Sequence, residues 1–488
     1  MKDFKDYLEE TGEIGYIESI SGSIAYISGL PGLKLKETIL TENNQKGIVN
    51  SLQKNLAEVL MLDLEGITCK MAVARTNENF KIPVGEGFLG RVLDSLCRPI
   101  DGLGPIEDIK ERREIEGKAP EIFQRARIKK FLETGVLLVD LLVPLGYGQR
   151  ELIIGDEKTG KTTFLLQILN NQTRKGVIGI YVSIGKKGVD IKNIQNYLKE
   201  HKILEKTIII AATSACPASQ LFLAPYSAMT MAEFFRDRGK NVLIIFDDLT
   251  NHAKAYREIS LITKKTPGRS SYPGDIFHIQ AKLIERAGNI KNKKNQEISI
   301  TALPVATTIE NDISGYIQTN LMAMTDGHIF FDSDEYKRGA RPAINPFLSV
   351  SRVGNQTKKP MEHSLAKLVL SHLSAYKKAV EMARFGTELP EKTRKQIEIG
   401  EKLEILMNQE NEIILERNFQ ILLLANILWG RWEKIEKEKL KEEINLFIKE
   451  YQRGNYNEII QQLQKIKNLK ELQAFIKQLE LLWQAQKR

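Results

Sequence analysis

The chain has 488 residues, 42% of them apolar, and a formal net charge of +9. This length is typical of about three domains, and the composition suits a packed core. The apolar runs are too short to cross a bilayer, and the charged start has no signal segment. We therefore expect a protein that stays where it is made and reaches a membrane only peripherally. The three cysteines lack metal-ligand spacing. The positive charge is spread along the chain, which favours solvated lysines over a nucleic-acid surface.

Three stretches of the chain differ in pattern. Residues 1–78 read as short strands between Ser and Gly turns, which predicts a small N-terminal β-barrel or sandwich, of which we take the barrel. Residues 79–356 alternate short β-rich runs with helical patterns, which predicts a P-loop α/β domain with a mainly parallel sheet. Residues 357–488 show helical periodicity and predict a C-terminal α-helical domain. The predicted strands of the central stretch include 151–154, 177–184, 207–211, 242–246, 298–303 and 328–331.

One segment matches the phosphate-binding pattern Gly-x-x-x-x-Gly-Lys-Ser/Thr in full. A predicted strand precedes it and a predicted helix over residues 163–169 follows it, as this motif requires. The glycines let backbone N–H groups face one point, and the helix N-terminus adds partial positive charge there. The segment consists of Gly155, Asp156, Glu157, Lys158, Thr159, Gly160, Lys161 and Thr162. It predicts a P-loop in which Lys161 contacts the outer phosphates and the Thr162 hydroxyl ligates Mg²⁺.

A second acidic element is expected at the end of a nearby strand. The apolar run 242–246 leads directly into Asp247 and Asp248. Beside an intact P-loop, Asp247 is predicted to hold magnesium through its water shell. The alternative is an ordinary helix-capping or turn aspartate.

The residues needed for hydrolysis are less evident. Many ATPases with this strand order place a glutamate just after the strand that follows the P-loop helix, where it activates water. Here that strand is followed by Gly185, Lys186 and Lys187. A protonated lysine cannot act as the base; it either binds phosphate or is solvated. Glu157 and Glu310 remain possible substitutes. The sequence therefore predicts a site that binds nucleotide and hydrolyses it poorly.

Arg352 lies between small residues near the end of the α/β stretch. One interpretation is an ordinary surface or ion-paired arginine. The other is an arginine finger, which supplies planar positive charge to a neighbour's transferring phosphate.

Together these segments resemble the alpha subunit of the F-type rotary ATP synthase. The similarity covers nearly the whole chain in order and is strongest from about 140 to 355. The matching segments are VGEG at 84–87, LGRV at 89–92, GQRELIIGD at 148–156, APYS at 224–227, FRD at 235–237, LIIFDDL at 243–249, YPGD at 272–275, RPAIN at 341–345 and SVSRVG at 349–354.

The resemblance implies three such subunits alternating with three catalytic beta-type subunits around a central stalk, with a membrane rotor reached through the complex. It implies a site that holds ATP or ADP with Mg²⁺ without turning it over. Arg352 matches the family arginine that reaches into the neighbouring catalytic site. Arg341 and Tyr336 are expected near the nucleotide, and Gln409 at an adenine contact. The expected location is peripheral, on the cytoplasmic face of the cell membrane, with no nucleic-acid partner.

Departures from the family pattern leave some points open. Lys158 and Lys186 stand where the family usually has glutamine. Residues 1–7 leave little for docking a peripheral stalk, so that attachment is open. A self-sufficient catalytic ring subunit, of the secretion type or of the rho-like kind, remains the alternative. The N-terminal strands show no aromatic and basic stripe for RNA.

Overall fold

The computed structural model describes residues 2–384 and 390–486, so Met1, at the start of the predicted barrel, lies outside the described residues. The strands in this part of the chain are β1 Ile14–Ser21, β2 Ile24–Ser28, β3 Glu37–Thr41, β4 Lys46–Leu52, β5 Ala57–Met61, β6 Ala72–Asn79, β7 Lys81–Val84, β8 Val92–Leu93, β9 Glu111–Glu114, β10 Phe131–Leu132, β11 Leu145–Gly146, β12 Glu151–Asp156, β13 Ile178–Lys186, β14 Thr207–Thr213, β15 Val242–Asp247, β16 Gly288–Lys291, β17 Glu297–Thr308, β18 Gly327–Phe331 and β19 Val350–Ser351. The helices are α1 Phe4–Thr11, α2 Leu137–Leu142, α3 Lys161–Arg174, α4 Gly188–Glu200, α5 Ala218–Asp237, α6 Leu249–Ile262, α7 Ile276–Ile284, α8 Tyr316–Met324, α9 Ser333–Lys337, α10 Pro360–Arg384, α11 Glu391–Met407, α12 Arg417–Trp429, α13 Lys437–Gln452, α14 Asn457–Leu463 and α15 Leu469–Gln486.

The chain forms two compact units. Unit 1 consists of Met1–Arg127, Gly148–Ile154 and Gln172–Thr325. Unit 2 consists of Ile128–Tyr147, Gly155–Asn171 and Asp326–Arg488.

Unit 1 begins with a closed six-stranded barrel in the order β1-β2-β5-β4-β3-β6. Closure leaves the barrel strands without an unpaired edge. Alternate residues of its strands fill the interior, among them Ile17, Ile39 and Val59, each 0% exposed. The buried Glu37 carboxylate accepts a hydrogen bond from Arg75 Nε at 3.1 Å. The predicted N-terminal barrel is confirmed.

The rest of unit 1 is built around a sheet of neighbouring strands β17-β15-β13-β14-β8. These five strands are parallel, and β16 pairs antiparallel with β17. Arg150, the residue directly before β12, forms a parallel β-bridge with Ala302 of β17. Strands β14 and β15 are almost entirely buried, which fits apolar runs covered on both faces. The predicted parallel α/β arrangement is confirmed. Parallel strands end at the same edge of a sheet, so Lys186 and Asp247 come together at the carboxyl ends of β13 and β15.

Unit 2 contains the short antiparallel pairs β10–β11 and β18–β19 and the helices that follow. An aromatic cluster packs the last helices together, with Phe447 stacked on Phe419 at 5.9 Å and edge-on to Trp432 at 5.2 Å between ring centroids. The predicted C-terminal helical region is confirmed. The domain boundaries after residues 78 and 356 remain predictions. No helix in the described ranges is both long enough and apolar enough to cross a membrane.

Candidate functional site

The P-loop lies in unit 2, and its first two residues, Gly155 and Asp156, are the last residues of β12. Gly155 begins it with a φ of 155°. A Cβ at this position would lie 2.2 Å from the carbonyl oxygen of Phe331, so only glycine fits without moving the backbone. Phe331 in turn packs on Phe164 of α3, with 5.5 Å between ring centroids. The first glycine of the motif is therefore required by the close approach of β18.

The rest of the loop curls back on itself. Lys158 and Gly160 adopt φ values of 61° and 97°, and α3 begins at Lys161. Lys161 Nζ donates to the carbonyl oxygens of Gly155 at 2.6 Å and Asp156 at 2.5 Å. The Thr159 hydroxyl donates to the Asp156 carbonyl at 2.8 Å. A lysine held against the loop at the N-terminus of a helix forms an anion-binding arrangement, as the motif predicts.

Exposure separates the P-loop residues into three groups. Gly155, Thr159 and Lys161 are buried, whereas Glu157 and Lys158 are exposed. The remaining three, Asp156, Gly160 and Thr162, are half-buried. Thr162 is the second residue of α3.

Tyr336 and Arg341 lie together in unit 2. The Arg341 guanidinium lies 3.8 Å over the Tyr336 ring, and its Nη1 donates to the carbonyl oxygens of Tyr336 at 3.0 Å and Ala340 at 2.7 Å. Gln409 joins them through its backbone N–H, which donates to the Arg341 carbonyl at 2.7 Å. The structure therefore brings the three predicted nucleotide-proximal residues into one cluster.

The side chain of Gln409 is buried and ties backbone segments together. Its Oε1 accepts from Leu137 N–H at 3.0 Å, and its Nε2 donates to the carbonyl oxygens of Gly135 and Ile413. Gln167 of α3 donates to the same Ile413 carbonyl at 2.8 Å. Gln167 of the P-loop helix and Gln409 thus donate to the same carbonyl oxygen, that of Ile413. The predicted adenine contact remains a prediction, and these bonds give the amide a structural role in addition.

Substituting Gln409 with leucine is expected to destabilise unit 2. It would leave Leu137 N–H and two carbonyls without this partner, and a buried unsatisfied group costs about 1–3 kcal/mol. All three tryptophans of the chain, Trp429, Trp432 and Trp483, lie in unit 2, so urea unfolding followed by tryptophan fluorescence reports on it. The exposed neighbour substitution Asn408→Ala should stay within about 0.5 kcal/mol. Unchanged stability with weakened nucleotide binding would instead support a purely adenine-contacting role.

In unit 1, the carboxyl ends of β13 and β15 carry a cluster around Asp247. Lys186 Nζ lies 2.7 Å from Asp247 Oδ2, and the Tyr181 hydroxyl donates to the same oxygen. The Asp247 side chain is 4% exposed and that of Lys186 is 24% exposed. The sequence left Lys186 as either a phosphate ligand or a solvated residue; the structure places it in an ion pair with Asp247.

Asp248 plays a separate part. Its Oδ1 accepts from the backbone of Asn251 at 2.8 Å, which caps α6, and its Oδ2 accepts from the Thr307 hydroxyl at 2.6 Å. Burial, and then the charge of Asp247, raise the pKa of the Asp248 carboxyl. Both Asp248 oxygens accept hydrogen bonds that stabilise the fold, and Asp248 is therefore a helix-capping residue. This is the role that the sequence analysis gave as the alternative for Asp247.

A magnesium ion is implied by the family pattern, so the chemistry of its predicted ligands matters. A threonine hydroxyl and a carboxylate are oxygen ligands of the kind Mg²⁺ prefers. The described residues contain no group of three or more His, Cys, Asp or Glu side chains that could hold a metal ion. Most ligands would therefore come from nucleotide and water. Asp247 suits the ion chemically, but a lysine ammonium already occupies its Oδ2.

Arg352 lies on a loop whose small residues are dictated by packing. The Ser349 hydroxyl donates to the Asn345 carbonyl at 2.7 Å, and the Ser351 hydroxyl donates to the Pro144 carbonyl at 2.6 Å. A Cβ on Gly354 would lie 1.7 Å from the Pro144 carbonyl oxygen. These contacts fix the backbone on both sides of Arg352.

The Arg352 side chain itself is exposed. Among the described residues its guanidinium has no hydrogen-bond or ion-pair partner, although its charge acts on His328. The pKa of His328 is lowered chiefly by burial and also by Arg352. An arginine on a fixed loop whose guanidinium is unpaired among the residues that the structure describes is available to bind an anion.

Some residues of these clusters carried no usable sequence signal. Tyr181 lies inside an apolar strand and Thr307 near the end of another, and only their positions beside Asp247 and Asp248 reveal their contacts. Of the two possible substitute bases, Glu157 is at the exposed tip of the P-loop and Glu310 is exposed after β17.

Comparison with known proteins agrees with this geometry. Residues 135–351 match the model of the ATP synthase alpha/beta family, nucleotide-binding domain, and residues 357–480 match the ATP synthase alpha/beta chain, C terminal domain. The chain is 36% identical over 474 residues to ATP synthase subunit alpha of Haemophilus influenzae strain 86-028NP, covering 95% of this chain and 92% of the relative. The same identity and coverage hold for subunit alpha of the H. influenzae Rd strain. The P-loop at the start of α3, the parallel sheet and these matches over almost the full length show that the chain belongs to the alpha subunits of the F-type ATP synthase family.

Proposed function

We propose that this chain is the non-catalytic, regulatory nucleotide-binding subunit of a rotary ATP synthase. Its own site holds ATP or ADP without hydrolysing it. Its complex couples ATP synthesis or hydrolysis to ion transport across a membrane. Arg352 acts in the adjacent catalytic subunit, where it stabilises charge on the transferring phosphate.

The observation that carries the non-catalytic assignment is Lys186. It stands at the end of β13, where many related ATPases place a glutamate that activates water. A positively charged lysine paired with Asp247 at 2.7 Å cannot accept a proton from water. A positioned general base contributes roughly 10²- to 10⁴-fold to a reaction rate. Its absence supports binding without appreciable turnover.

The proposed site follows the sequence motif. The P-loop backbone and Lys161 bind the phosphates, Tyr336 and Arg341 lie near the nucleotide, and Gln409 contacts the adenine. Magnesium accompanies the nucleotide, with Thr162 and Asp247 as the residues that would hold it. When bound, the ion neutralises phosphate charge.

The proposed partners are catalytic beta-type subunits, which alternate with this chain in a hexamer around a central stalk. The membrane rotor is reached through the complex. The chain then works peripherally at the cytoplasmic face of the cell membrane. No observation favours a self-sufficient ATPase or a nucleic-acid motor over this assignment.

Binding and turnover by the purified chain test the proposal directly. We expect ATP to bind, measured by equilibrium dialysis, while hydrolysis remains at least about a hundredfold below that of a complex containing the catalytic subunit. Lys161→Ala is the control, because it removes the ammonium from the P-loop and should abolish binding. Hydrolysis by the chain alone that disappears in Lys161→Ala would instead establish a catalytic subunit.

A further inference from the structure

His328 lies beside the segment of unit 2 that carries Arg352. Strands β18 and β19 pair antiparallel, with His328 opposite Val350. Residues that are opposite each other in such a pair project to the same face, and successive residues of a strand alternate between its two faces. Ser351 is buried, whereas Val350 is 41% exposed and Arg352 is exposed. His328 therefore shares the outer face of this strand pair with the segment that ends at Arg352.

Two hydrogen bonds hold this segment against the start of β18. His328 Nε2–H donates to the carbonyl oxygen of Leu348 at 2.8 Å, and the backbone N–H of Arg352 donates to the carbonyl oxygen of Asp326 at 3.0 Å. Because a carbonyl oxygen can only accept, the neutral imidazole carries its proton on Nε2. The imidazole thus fixes one end of the 348–352 segment, and the Asp326 carbonyl fixes the other.

A second proton on His328 would place a positive charge near the Arg352 guanidinium. Within residues 326–331 and 348–352, the charged residues besides His328 are Asp326 and Arg352. Burial lowers the pKa of His328, and the charge of Arg352 lowers it further, so the neutral imidazole predominates at neutral pH. Protonation at Nδ1 leaves the Nε2 bond to Leu348 in place. It therefore acts on Arg352 through repulsion between like charges.

We propose that His328 is a positioning residue for Arg352: the neutral imidazole fixes the 348–352 segment, and its protonation displaces the Arg352 guanidinium and slows the adjacent catalytic subunit in acid. The inference rests on the proposed function, because it requires that Arg352 acts in that subunit. It goes further by assigning the alignment of the arginine finger, and a sensitivity to pH, to one further side chain.

The pH profile of ATP hydrolysis by the assembled complex tests this inference, with wild-type and His328→Gln chains compared from about pH 5.5 to about pH 8. Glutamine retains an N–H donor for the Leu348 carbonyl but gains no charge in this range. We expect the two complexes to turn over within about twofold of each other at the upper end of the range. Below the pKa of His328, the wild type should be slower than the variant by about threefold to tenfold, as expected for two like charges a few Å apart at a partly exposed site.

Two further variants separate the hydrogen bond from the charge. His328→Ala removes both, and it should be slower than His328→Gln by at least about threefold at every pH, because the Leu348 carbonyl loses its partner. His278→Gln is the matched control: it removes an exposed histidine of unit 1 and should keep the wild-type pH profile. Size-exclusion chromatography across the pH range establishes that each complex is assembled.

A second readout does not depend on activity. In the isolated chain, ¹H–¹³C NMR of the histidine rings follows the titration of His328, which is identified by the signal that His328→Gln lacks. Arg352→Ala should raise the pKa of His328, because it removes the neighbouring charge.

The outcomes distinguish this inference from the proposed function. Identical pH profiles for the wild type and His328→Gln would overturn the role of His328, and so would an unchanged His328 pKa in Arg352→Ala. Either result leaves the proposed function in place if Arg352→Ala removes turnover from the assembled complex. Normal turnover by that Arg352→Ala complex would instead overturn the arginine finger, and this inference with it.

Discussion

Replacing Arg352 with alanine is expected to remove multi-site ATP hydrolysis from an otherwise correctly assembled complex. The guanidinium is exposed on a loop held by Ser349 and Ser351, and it has no hydrogen-bond or ion-pair partner in the described part of the chain. Its loss should therefore cost the fold little. In the catalytic site next to it, loss of an arginine finger reduces turnover on the order of a thousandfold or more. Co-expression with the neighbouring catalytic subunit and steady-state hydrolysis provide the measurement.

Two further variants test whether the effect requires the guanidinium of Arg352 itself. Arg352→Lys keeps the charge but loses the planar fork, so it should remain strongly impaired. Arg338→Ala removes another exposed arginine, which pairs with Glu335 at 3.4 Å, and should turn over near the wild-type rate. In the isolated Arg352→Ala chain the pKa of His328 should rise, because Arg352 contributes to lowering it. Normal turnover by an assembled Arg352→Ala complex would eliminate the finger role.

The second large effect concerns stability. Arg286 is 1% exposed and donates from Nε and Nη2 to the Glu233 carboxylate at 3.0 and 2.6 Å. It also donates to the carbonyl of Ile115 at 2.7 Å and the hydroxyl of Thr230 at 2.9 Å. Arg286→Met removes this partner of the buried Glu233, and in the described part of the chain Arg236, 4.0 Å away, is then its remaining ion-pair partner. Breaking a buried pair from one side costs about 3–5 kcal/mol.

Hydrogen exchange of peptides from α5, which carries Glu233, measures this loss. A cost of that size lowers protection by roughly a hundredfold to several thousandfold if exchange follows unfolding of unit 1. The double variant Glu233→Gln with Arg286→Met removes both charges and should recover much of the loss. Equal destabilisation of the single and double variants would attribute the effect to lost packing and hydrogen bonds instead of a lone buried charge.

The local sequence pattern was sufficient to predict many of the strands of this protein and its P-loop. The β-rich run 242–246 predicts a buried strand because a parallel strand is covered on both faces, and β15 occupies Val242–Asp247. The P-loop is recognisable from sequence because its whole pattern lies within residues 155–162, whereas the close approach of Phe331 to Gly155 appears only in the fold. Strand β13 extends further than predicted, to Lys186, since its pairing with β14 continues past the apolar run.

Side-chain contacts between segments far apart in the chain could not be predicted from the local sequence pattern. The Gln409 amide was predicted as an adenine contact, yet in the fold it also binds Gly135, Leu137 and Ile413, which no spacing in the sequence connects. Likewise, burial of Arg286 against Glu233 depends on how α5 packs.

The sequence by itself determined the P-loop, the class of fold and the lack of a glutamate at position 186, because each depends on residues close together in the chain. Only the tertiary structure decided what replaces that glutamate. Lys186 meets Asp247 because β13 and β15 are neighbours in one parallel sheet and end at the same edge. Which strands are neighbours is decided by the packing of the whole sheet. A flexible lysine side chain then pairs with the buried carboxylate that lies nearest to it, and here that carboxylate is Asp247.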